Sequence, residues 1–430
     1  MLEAQIFKQG FSLASRRAGG SVLPRPMVLT GYRHFGGVNW DSAALKNTLA
    51  YSGVLDPRTR KPLTEAMCLG IGGGIGVGYS FCPSIPRSGQ GSGISVVGRH
   101  RVVDTGGSFQ KDALARLGCT VDVCETAGVK AAYEHVCRGL SAGRPVIIWT
   151  SPLAAPQMGY HSGTCGMYLT VVHGVDEARG EAHLGDCAPT SLVMTLADLS
   201  AARQQVCSHR NRSLHYAAPK RLDAAMLQKA VAAGAQACAD ELLKPRLLTF
   251  GLPGLVEWSK VINNRKNAKG WPKVYPGGRL YWALHDTFDS IETAGTGGGL
   301  FRPIFAEFLN EAADVLGRKA LHGCAAQYQA LGREWTALAQ LALPDKVKPF
   351  KDTKKLLLQR RQLWLSKGPQ AAAAMQRCTD ELRKIDASLQ SAFPLDEGQC
   401  DALLAALSGR ITELHAGESA AAQALAAALR

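Results

Sequence analysis

The stretch that decides the fold is GGVNWDSAALKNTLAY, residues 36–51, which predicts a turn followed by a capped amphipathic helix from about residue 41. Asn39 or Asp41 can accept a backbone N–H group that the first helical turn leaves unpaired. Gly53 can end the helix in the left-handed region. Trp40 stands where the chain turns into the helix. The positions expected to face the core are Ala44, Leu45, Thr48, Leu49 and Tyr51.

The region from residue 27 to about 218 mixes predicted strands with predicted helices. VIIWT (146–150) and MYLTVVHGVD (167–176) are rich in β-branched and aromatic residues, which favours strands. AAYEHVCRGLSAGRP reads as a helix that runs into the first of these strands, with Gly143 and Pro145 as its stop. This alternation predicts an α/β domain at 27–218.

After about residue 220 the pattern becomes helical. Apolar residues recur at i, i+3, i+4 and i+7 in successive segments. We therefore predict a helical domain at 219–345 and a helical extension at 346–430, after a basic N-terminal tail or targeting segment at 1–26. The predicted helices are DAAMLQKAVAAGAQACADELL, RPIFAEFLNEAADVLG, HGCAAQYQALGREWTALAQLAL, AAAAMQRCTDELRKIDASLQSAF and GQCDALLAALSGRITELHAG.

The composition is that of a folded globular chain of 430 residues, with 46% hydrophobic and 20% charged residues and a net charge of +14. The basic residues are mostly scattered, which disfavours nucleic acid as a partner. The densest run, KPFKDTKKLLLQRRQLW (348–364), favours the solvated back of an amphipathic helix over an anion-binding surface. An acidic protein partner remains compatible with it. No apolar run reaches the roughly 18–20 residues that span a bilayer.

The twelve cysteines lie at irregular spacing, without paired CxxC motifs or zinc-type Cys/His pairs. This favours free, mostly buried thiols in an intracellular reducing compartment. The first 26 residues carry four basic residues and one acidic residue, so a mitochondrial or plastid transit peptide competes with an ordinary cytoplasmic tail. The sequence predicts no metal and no cofactor.

The glycine-rich stretch CLGIGGGIGVGY (68–79) offers two interpretations. Gly72, Gly73 and Gly74 can bring backbone N–H groups close to a ligand anion. The stretch lacks the ending of a P-loop, however, and tight backbone packing is the favoured interpretation.

Among the histidines, His34 and His100 lie in loop-like, polar contexts and are the better site candidates. His173 falls inside an apolar strand and is more simply a core or edge residue. Cys165 and Cys187 have no demonstrated basic neighbour, so they favour inert core thiols.

Several of these segments, taken in order, resemble a known family. YRHFGGVNWDSAALKNTLAYSGV, PLTEAMCLGIGGGIGVGY, VVGRHRVVD and MYLTVVHGVDEARGEAHLGDCAP are similar to the butirosin biosynthesis protein H N-terminal domain family. GLPGLVEWSK, KGWPKVYPGGRLYWAL and IETAGTGGGLFRPIFAEFLNEAADVLGR are similar to the uncharacterised helical domain that often follows it. The resemblance covers roughly residues 30–345 and implies an α+β architecture, with a papain-like domain followed by an all-helical one.

The resemblance also implies acyl transfer from an acyl carrier protein to an amine, through a cysteine at the start of the first helix. A histidine that opens a strand and a carboxylate on the next strand complete such a site. Here the cysteine position falls on Trp40 or Asn39, and the histidine position falls on Tyr168. The acid corresponds to Asp186, so only the acid is retained.

Three interpretations of this departure stay open. The chain is a pseudoenzyme that keeps the fold for binding, or its pocket has been re-tasked. In a third interpretation the correspondence is shifted, and Ser42 or Cys165 is the nucleophile. The residues of a re-tasked pocket would be His34, His100, Asp41, Tyr168 and Asp186, with Asn39 beside them. Trp40, Glu65, Gly72, Gly73 and Gly74 are ligand-binding candidates.

In the helical domain, ETAGTGGGLFRP (292–303) is a polar glycine-rich loop that leads into a helix. Arg302 and free N–H groups can hold a carboxylate or a phosphate there. A Glu292–Arg302 ion pair between domains is the equally weighted alternative.

Two functions follow from these patterns. The favoured one is an acyltransferase-fold protein with a degenerate Cys/His site that binds an acyl-carrier thioester or an amine. The alternative is a non-catalytic scaffold subunit whose basic C-terminal helices dock on an acidic partner or a large assembly. An open cleft around Trp40, Tyr168 and Asp186 would favour the first. A cleft plugged by the indole, with an exposed apolar patch on the terminal helices, would favour the second.

Overall fold

The computed structural model describes residues 26–88, 91–99, 109–151, 168–206 and 210–430. His100 and Cys165 lie outside these ranges. Within them the chain is α+β, as predicted, with a sheet-containing N-terminal part and a mostly helical remainder.

Nine strands are described. They are β1 Met27–Val28, β2 Gly78–Phe81, β3 Ile94–Val97, β4 Thr120–Cys124, β5 Val146–Thr150, β6 Tyr168–Asp176, β7 Glu181–Gly185, β8 Leu192–Thr195 and β9 Ser213–Ala217. The main sheet has the order β4-β9-β5-β6-β7-β8, and β1 also pairs with β6. Its pairings are all antiparallel, while β2 and β3 form a separate antiparallel pair. The strands predicted at 146–150 and 167–176 are therefore confirmed.

The helices of the N-terminal part are α1 Trp40–Tyr51, α2 Glu65–Ile71, α3 Ser84–Arg87, α4 Phe109–Arg116, α5 Val129–Ser141 and α6 Leu196–Gln204. The helical remainder contains α7 Ala224–Leu243, α8 Leu252–Val261, α9 Trp271–Val274, α10 Leu280–Glu292, α11 Arg302–Leu316, α12 Ala320–Ala342, α13 Lys348–Lys367, α14 Ala372–Ser391 and α15 Glu397–Ala428. In the described ranges no helix combines the length and the apolar character that crossing a bilayer requires.

The main sheet separates two hydrophobic clusters because neighbouring strand residues point to opposite faces. On β5, Ile147 and Trp149 contribute to a large cluster that includes Leu45 and Leu49 of α1. Val146 and Ile148 face a smaller cluster under α5 and α6. Helix α1 thus lies against one face of an antiparallel sheet, as the papain-like resemblance leads one to expect.

Helix α1 is the capped helix that the sequence predicts, but it is not amphipathic. Residues 41–45 and 47–49 are all buried, so the helix is enclosed on nearly every side. Apolar patterning missed this because small and polar residues such as Ser42, Asn47 and Thr48 are buried here as well.

The large cluster continues from the N-terminal part into the helical part, where it includes Leu227 of α7, Phe308 of α11 and Leu407 of α15. The hydrophobic core therefore runs across the predicted boundaries at 218/219 and 345/346. Helix α13 has the predicted two-sided character, with Phe350, Leu357 and Trp364 buried while its lysines at 348, 351 and 355 are exposed.

Candidate functional site

The start of α1, where a papain-type nucleophile would stand, is capped by side chains. Asn39 is the N-cap, and its Oδ1 accepts hydrogen bonds from the N–H groups of Asp41 at 3.0 Å and Ser42 at 3.4 Å. The carboxylate of Glu65 accepts from the N–H groups of Val38 at 2.8 Å and Asn39 at 2.9 Å. The backbone N–H groups that could stabilise a thiolate or an oxyanion are thus already hydrogen-bonded to the Glu65 carboxylate.

Ser42, the alternative nucleophile, belongs to this cap. Its side chain is fully buried, and its hydroxyl donates to Glu65 Oε1 at 2.8 Å. A hydroxyl in this position stabilises the helix start and is shielded from substrate.

Trp40 begins the helix and is only partly buried. Its ring lies against Tyr168, with 5.3 Å between the ring centroids and an interplanar angle of 45°. On another side the indole touches the loop that follows α10. A Cβ atom added at Gly295, whose φ is +75°, would lie 2.6 Å from Trp40 Cζ3. The indole therefore fits because Gly295 has no side chain.

Tyr168 and Asp186 are brought together by the pairing of β6 with β7. Tyr168 opens β6, Asp186 follows β7 directly, and the Tyr168 hydroxyl donates to Asp186 Oδ2. The N–H group of Ala188 donates to Asp186 Oδ1 at 2.6 Å. Trp40, Tyr168 and Asp186 thus form a continuous group at the three positions that the resemblance matches to cysteine, histidine and acid.

Asp186 is almost completely buried, and burial raises the pKa of its carboxyl group above the ordinary range. The hydrogen bonds from Ala188 and Tyr168, and the positive charge of Arg361, offset part of this increase. The increase means that the loss of hydration outweighs the favourable contacts with the charged form.

The helical part covers this group. Trp364 of α13 and Met375 of α14 are buried in a cluster with Tyr168, Cys187 and Ala188. The sequence does not predict this cover, because Trp364 is only the last apolar residue of the basic run 348–364. Large separation along the chain leaves no local pattern that could have indicated it.

A small cavity adjoins the cover, with a volume of about 20 Å³, which is room for a single water molecule and not for an acyl chain. It is lined by Asp289, Thr293, Ala294, Leu357, Arg360, Arg361, Trp364 and Met375. Arg361 also donates a hydrogen bond to the carbonyl of Val38, just before α1.

Asp41 and His34 lie in different surroundings from this group. The buried carboxylate of Asp41 accepts hydrogen bonds from Arg99 and, at 2.7 Å, from Gln110 Nε2. His34 is half-buried in the loop between β1 and α1. Partial burial and the charges of Arg33 and Lys46 lower the pKa of its imidazole.

His173, expected in the core, stacks on Tyr32 with 4.5 Å between the ring centroids. Its Nε2 lies 2.9 Å from Ser191 Oγ, and the ring is buried. Burial, with His183 nearby, lowers the pKa of His173 to about 4. The histidine is a neutral packing residue.

The glycine-rich stretch is a packing junction, in agreement with the favoured interpretation. A Cβ atom at Gly72 would lie 2.1 Å from the ring of Phe109, and one at Gly74 would lie 2.7 Å from Phe305. Gly73 has a φ of +118°, which an L side chain rarely adopts. Aromatic rings occupy the space beside Gly72 and Gly74, so a phosphate has no room there.

The predicted Glu292–Arg302 ion pair is wrong. Arg302 is fully buried, and its Nε donates to Glu418 Oε1 of α15 at 2.7 Å. Its other guanidinium nitrogens donate to the carbonyls of Leu300 at 2.6 Å and Gly76 at 2.9 Å. Leu300 and Phe301 have positive φ values, and this irregular turn directly precedes Arg302, which points into the core.

Glu292 instead accepts hydrogen bonds from the N–H group of Gly299 at 3.2 Å and from Thr336 Oγ1 at 2.7 Å. It closes the glycine-rich loop. Because the guanidinium of Arg302 is enclosed and hydrogen-bonded, it is not available to an anion from solvent.

Two family models match the chain in the order that the sequence suggested. Residues 39–187 match the model described as Butirosin biosynthesis protein H, N-terminal. Residues 195–364 match a domain of unknown function, DUF4872. Residues 39–187 are thus similar to the N-terminal domain of butirosin biosynthesis protein H. No curated protein matches this butirosin H-like chain. The match ends at Trp364, so the covering residue of α13 belongs to the second family domain.

Proposed function

We propose that this butirosin H-like protein has lost cysteine-dependent acyl transfer and uses the retained fold to bind an acyl-carrier thioester or an amine. One observation carries the proposal. Trp40 and Tyr168, at the positions that the resemblance assigns to the nucleophile and its general base, contact each other, and Tyr168 donates a hydrogen bond to the retained Asp186.

The chemistry of these side chains supports the loss of acyl transfer. The indole of Trp40 is not a nucleophile toward a thioester. The Tyr168 hydroxyl donates its hydrogen bond to the Asp186 carboxylate, so it is not placed to accept a proton from a nucleophile. Cys187, which lies in the same cluster as Tyr168, is buried, and burial raises the pKa of its thiol far above the range in which a thiolate forms.

Charged groups beside the covered site support the binding half of the proposal. Asp289, Arg360 and Arg361 line the cavity next to Trp364. Carboxylates attract an amine, and guanidinium groups bind phosphate or carboxylate groups of a carrier-bound substrate. The ligand would meet these groups at the rim, because the cavity itself holds only about one water.

The scaffold alternative is supported by the cover itself, since Trp364 and Met375 fill the site with packed side chains. It is also supported by the exposed basic face of α13. The apolar docking patch that it called for has little support. Among the described residues of the terminal helices, Leu358 is the large apolar side chain that is clearly exposed.

The test of lost catalysis compares the wild type with a W40C/Y168H double variant. Each protein is incubated with an acyl-carrier thioester, and intact mass spectrometry detects acyl-enzyme. We expect none on the wild type and a slow acyl adduct on W40C/Y168H, because Asp186 and the helix start are in place. The matched control is W40A/Y168H, which has no thiol at this position. Wild-type turnover that disappears in D186N would contradict the proposal.

The binding half is tested separately, by titrating acyl-carrier thioester and amine into the wild type in a calorimeter. We expect saturable binding of one of them that weakens in R361Q. Absence of binding to both, together with co-purification of a stable multi-protein assembly from the source cell, would favour the scaffold.

A further inference from the structure

A second polar cluster lies where α5 packs against β9, beside the edge strand β4 of the main sheet. Asp122 of β4 and His215 of β9 are cross-strand partners, and His135 of α5 lies over them. Asp122 carboxylate oxygens lie 3.5 Å from His135 Nε2 and 3.3 Å from His215 Nε2. The two imidazoles stack with 4.7 Å between their centroids. Three donor atoms thus converge on a region less than 4.8 Å across.

The two histidines are buried, and the Nε2 atoms that face Asp122 lack hydrogen bonds among the described residues. His135 is 1% exposed and His215 is 3% exposed. Among the described residues, His135 Nε2 and both ring nitrogens of His215 have no hydrogen-bond partner. A buried polar atom left unpaired costs about 1–3 kcal/mol, so such a cluster calls for a ligand.

The unpaired ring nitrogens suit a metal ion. His135 Nε2 and His215 Nε2 face the Asp122 carboxylate without a hydrogen bond among the described residues. A neutral imidazole with a free Nε2 lone pair is the form that binds metals.

We infer that Asp122, His135 and His215 bind one divalent metal ion of the zinc type, a site unconnected with the proposed function. Bonds of about 2.0–2.2 Å in a tetrahedral site place neighbouring ligand atoms about 3.3 Å apart. The separations of 3.5 Å between His135 Nε2 and Asp122 Oδ1 and of 3.3 Å between His215 Nε2 and Asp122 Oδ2 are close to this spacing. The side chain of Asp122 is about half exposed, so solvent can supply the fourth ligand.

Surrounding residues orient the ligands. His135 Nδ1 lies 2.8 Å from Ser213 Oγ, and donation of the Nδ1 proton to this hydroxyl leaves Nε2 free for metal. Gly139 makes room for the second ring, because a Cβ atom there would lie 2.9 Å from His215 Cδ2. Sequence patterns do not indicate this cluster, because its three members belong to no spacing motif.

Positive charges also lie near the cluster. Arg138 interacts electrostatically with both histidines, Arg203 with His135 and Arg144 with His215. Their positive charges oppose a bound cation. We therefore expect an affinity below that of a structural four-ligand zinc site.

The test is metal binding by the full chain after chelation, with ZnCl₂ or CoCl₂ as the probe and the twelve cysteines blocked by alkylation. We expect one equivalent to bind. D122N, at a half-exposed position, should weaken binding by at least about 10-fold, and H215Q should do the same. H322Q and D176N are the matched controls and should bind like the wild type. Circular dichroism checks that each variant is folded.

A cobalt titration reports both how many ions bind and whether Asp122 is a ligand. Visible ligand-field bands that appear with one equivalent and vanish in D122N would support the site. The inference would be overturned by the absence of stoichiometric binding, or by equal affinity in folded D122N and the wild type.

Discussion

The Trp40–Tyr168–Asp186 group and the Asp122–His135–His215 cluster both adjoin the main sheet, and they differ in how their polar atoms are satisfied. Asp186 accepts from Tyr168 and Ala188, and aromatic side chains cover the group. In the second cluster the buried Nε2 atoms face a half-exposed carboxylate without hydrogen bonds among the described residues.

The two groups are found by different signals. The family resemblance leads to the first group, where packed side chains fill the space. Unpaired donor atoms lead to the second group, which no family motif marks. Unsatisfied buried polar atoms thus point to a candidate site that the resemblance alone does not indicate.

The largest effect is expected from breaking the buried ion pair between Arg302 of α11 and Glu418 of α15. Glu418 Oε1 accepts from Arg302 Nε and from Trp335 Nε1, each at 2.7 Å, and both charged side chains are fully buried. E418Q keeps the shape but leaves the guanidinium without a counter-charge. We expect the free energy of unfolding in urea to fall by about 3–5 kcal/mol.

The matched control is E413Q on the same helix, where the carboxylate is mostly exposed and pairs with Arg410. Its effect should stay within about 0.5 kcal/mol. If E418Q were as mild as E413Q, the helical part would not depend on this pair for its attachment.

A second, smaller effect concerns the contact between Trp40 and Gly295. G295A introduces a Cβ atom 2.6 Å from the indole at a φ of +75°. We expect a loss of about 1–3 kcal/mol in the free energy of unfolding, from overpacking and backbone strain. Urea denaturation with tryptophan fluorescence measures both the stability and the surroundings of the indole.

The control is G317A, where φ is +66° and the added atom has no neighbour within 4 Å. G317A therefore measures the cost of backbone strain without a steric clash. In the background of W40A the cost of G295A should fall to that of G317A. Equal costs of G295A with and without the indole would mean that the loop does not hold Trp40.

The fold was predictable where local chemistry decides it. VIIWT is a β-branched run between turn residues, and β5 has the same bounds as predicted. Helix α15 continues eleven residues beyond the predicted end at Gly417. A Cβ atom at Gly417 would lie 2.9 Å from Leu331 Cδ2, so this glycine allows close helix packing instead of ending the helix.

The candidate site was predictable only in part. Tyr168 and Asp186 could be found because each lies at the end of a recognisable strand. The cover by Trp364 and the cluster of Asp122 with His135 and His215 depend on contacts between distant segments. Single residues without a spacing pattern cannot indicate such contacts, and only the strand pairing and the helix docking bring them together.

The smallest expected effect is a pH dependence of the covered site. Because burial raises the pKa of Asp186, the folded protein binds a proton more readily than the unfolded chain. The folded state is then favoured as pH falls, and this contribution is lost as pH rises from the unfolded value near 3.8 through the folded pKa. D186N removes the titration, while the buried histidines affect both proteins alike.

The stability of D186N relative to the wild type should therefore increase as pH is raised, in urea denaturation curves measured across this range. D314N, at an exposed position, is the control and should keep a constant difference from the wild type. Parallel curves for D186N and the wild type would show that Asp186 is as well solvated in the folded protein as in the unfolded chain. The cover formed by Trp364 and Met375 would then be open in solution, and the contrast between the two groups would not hold.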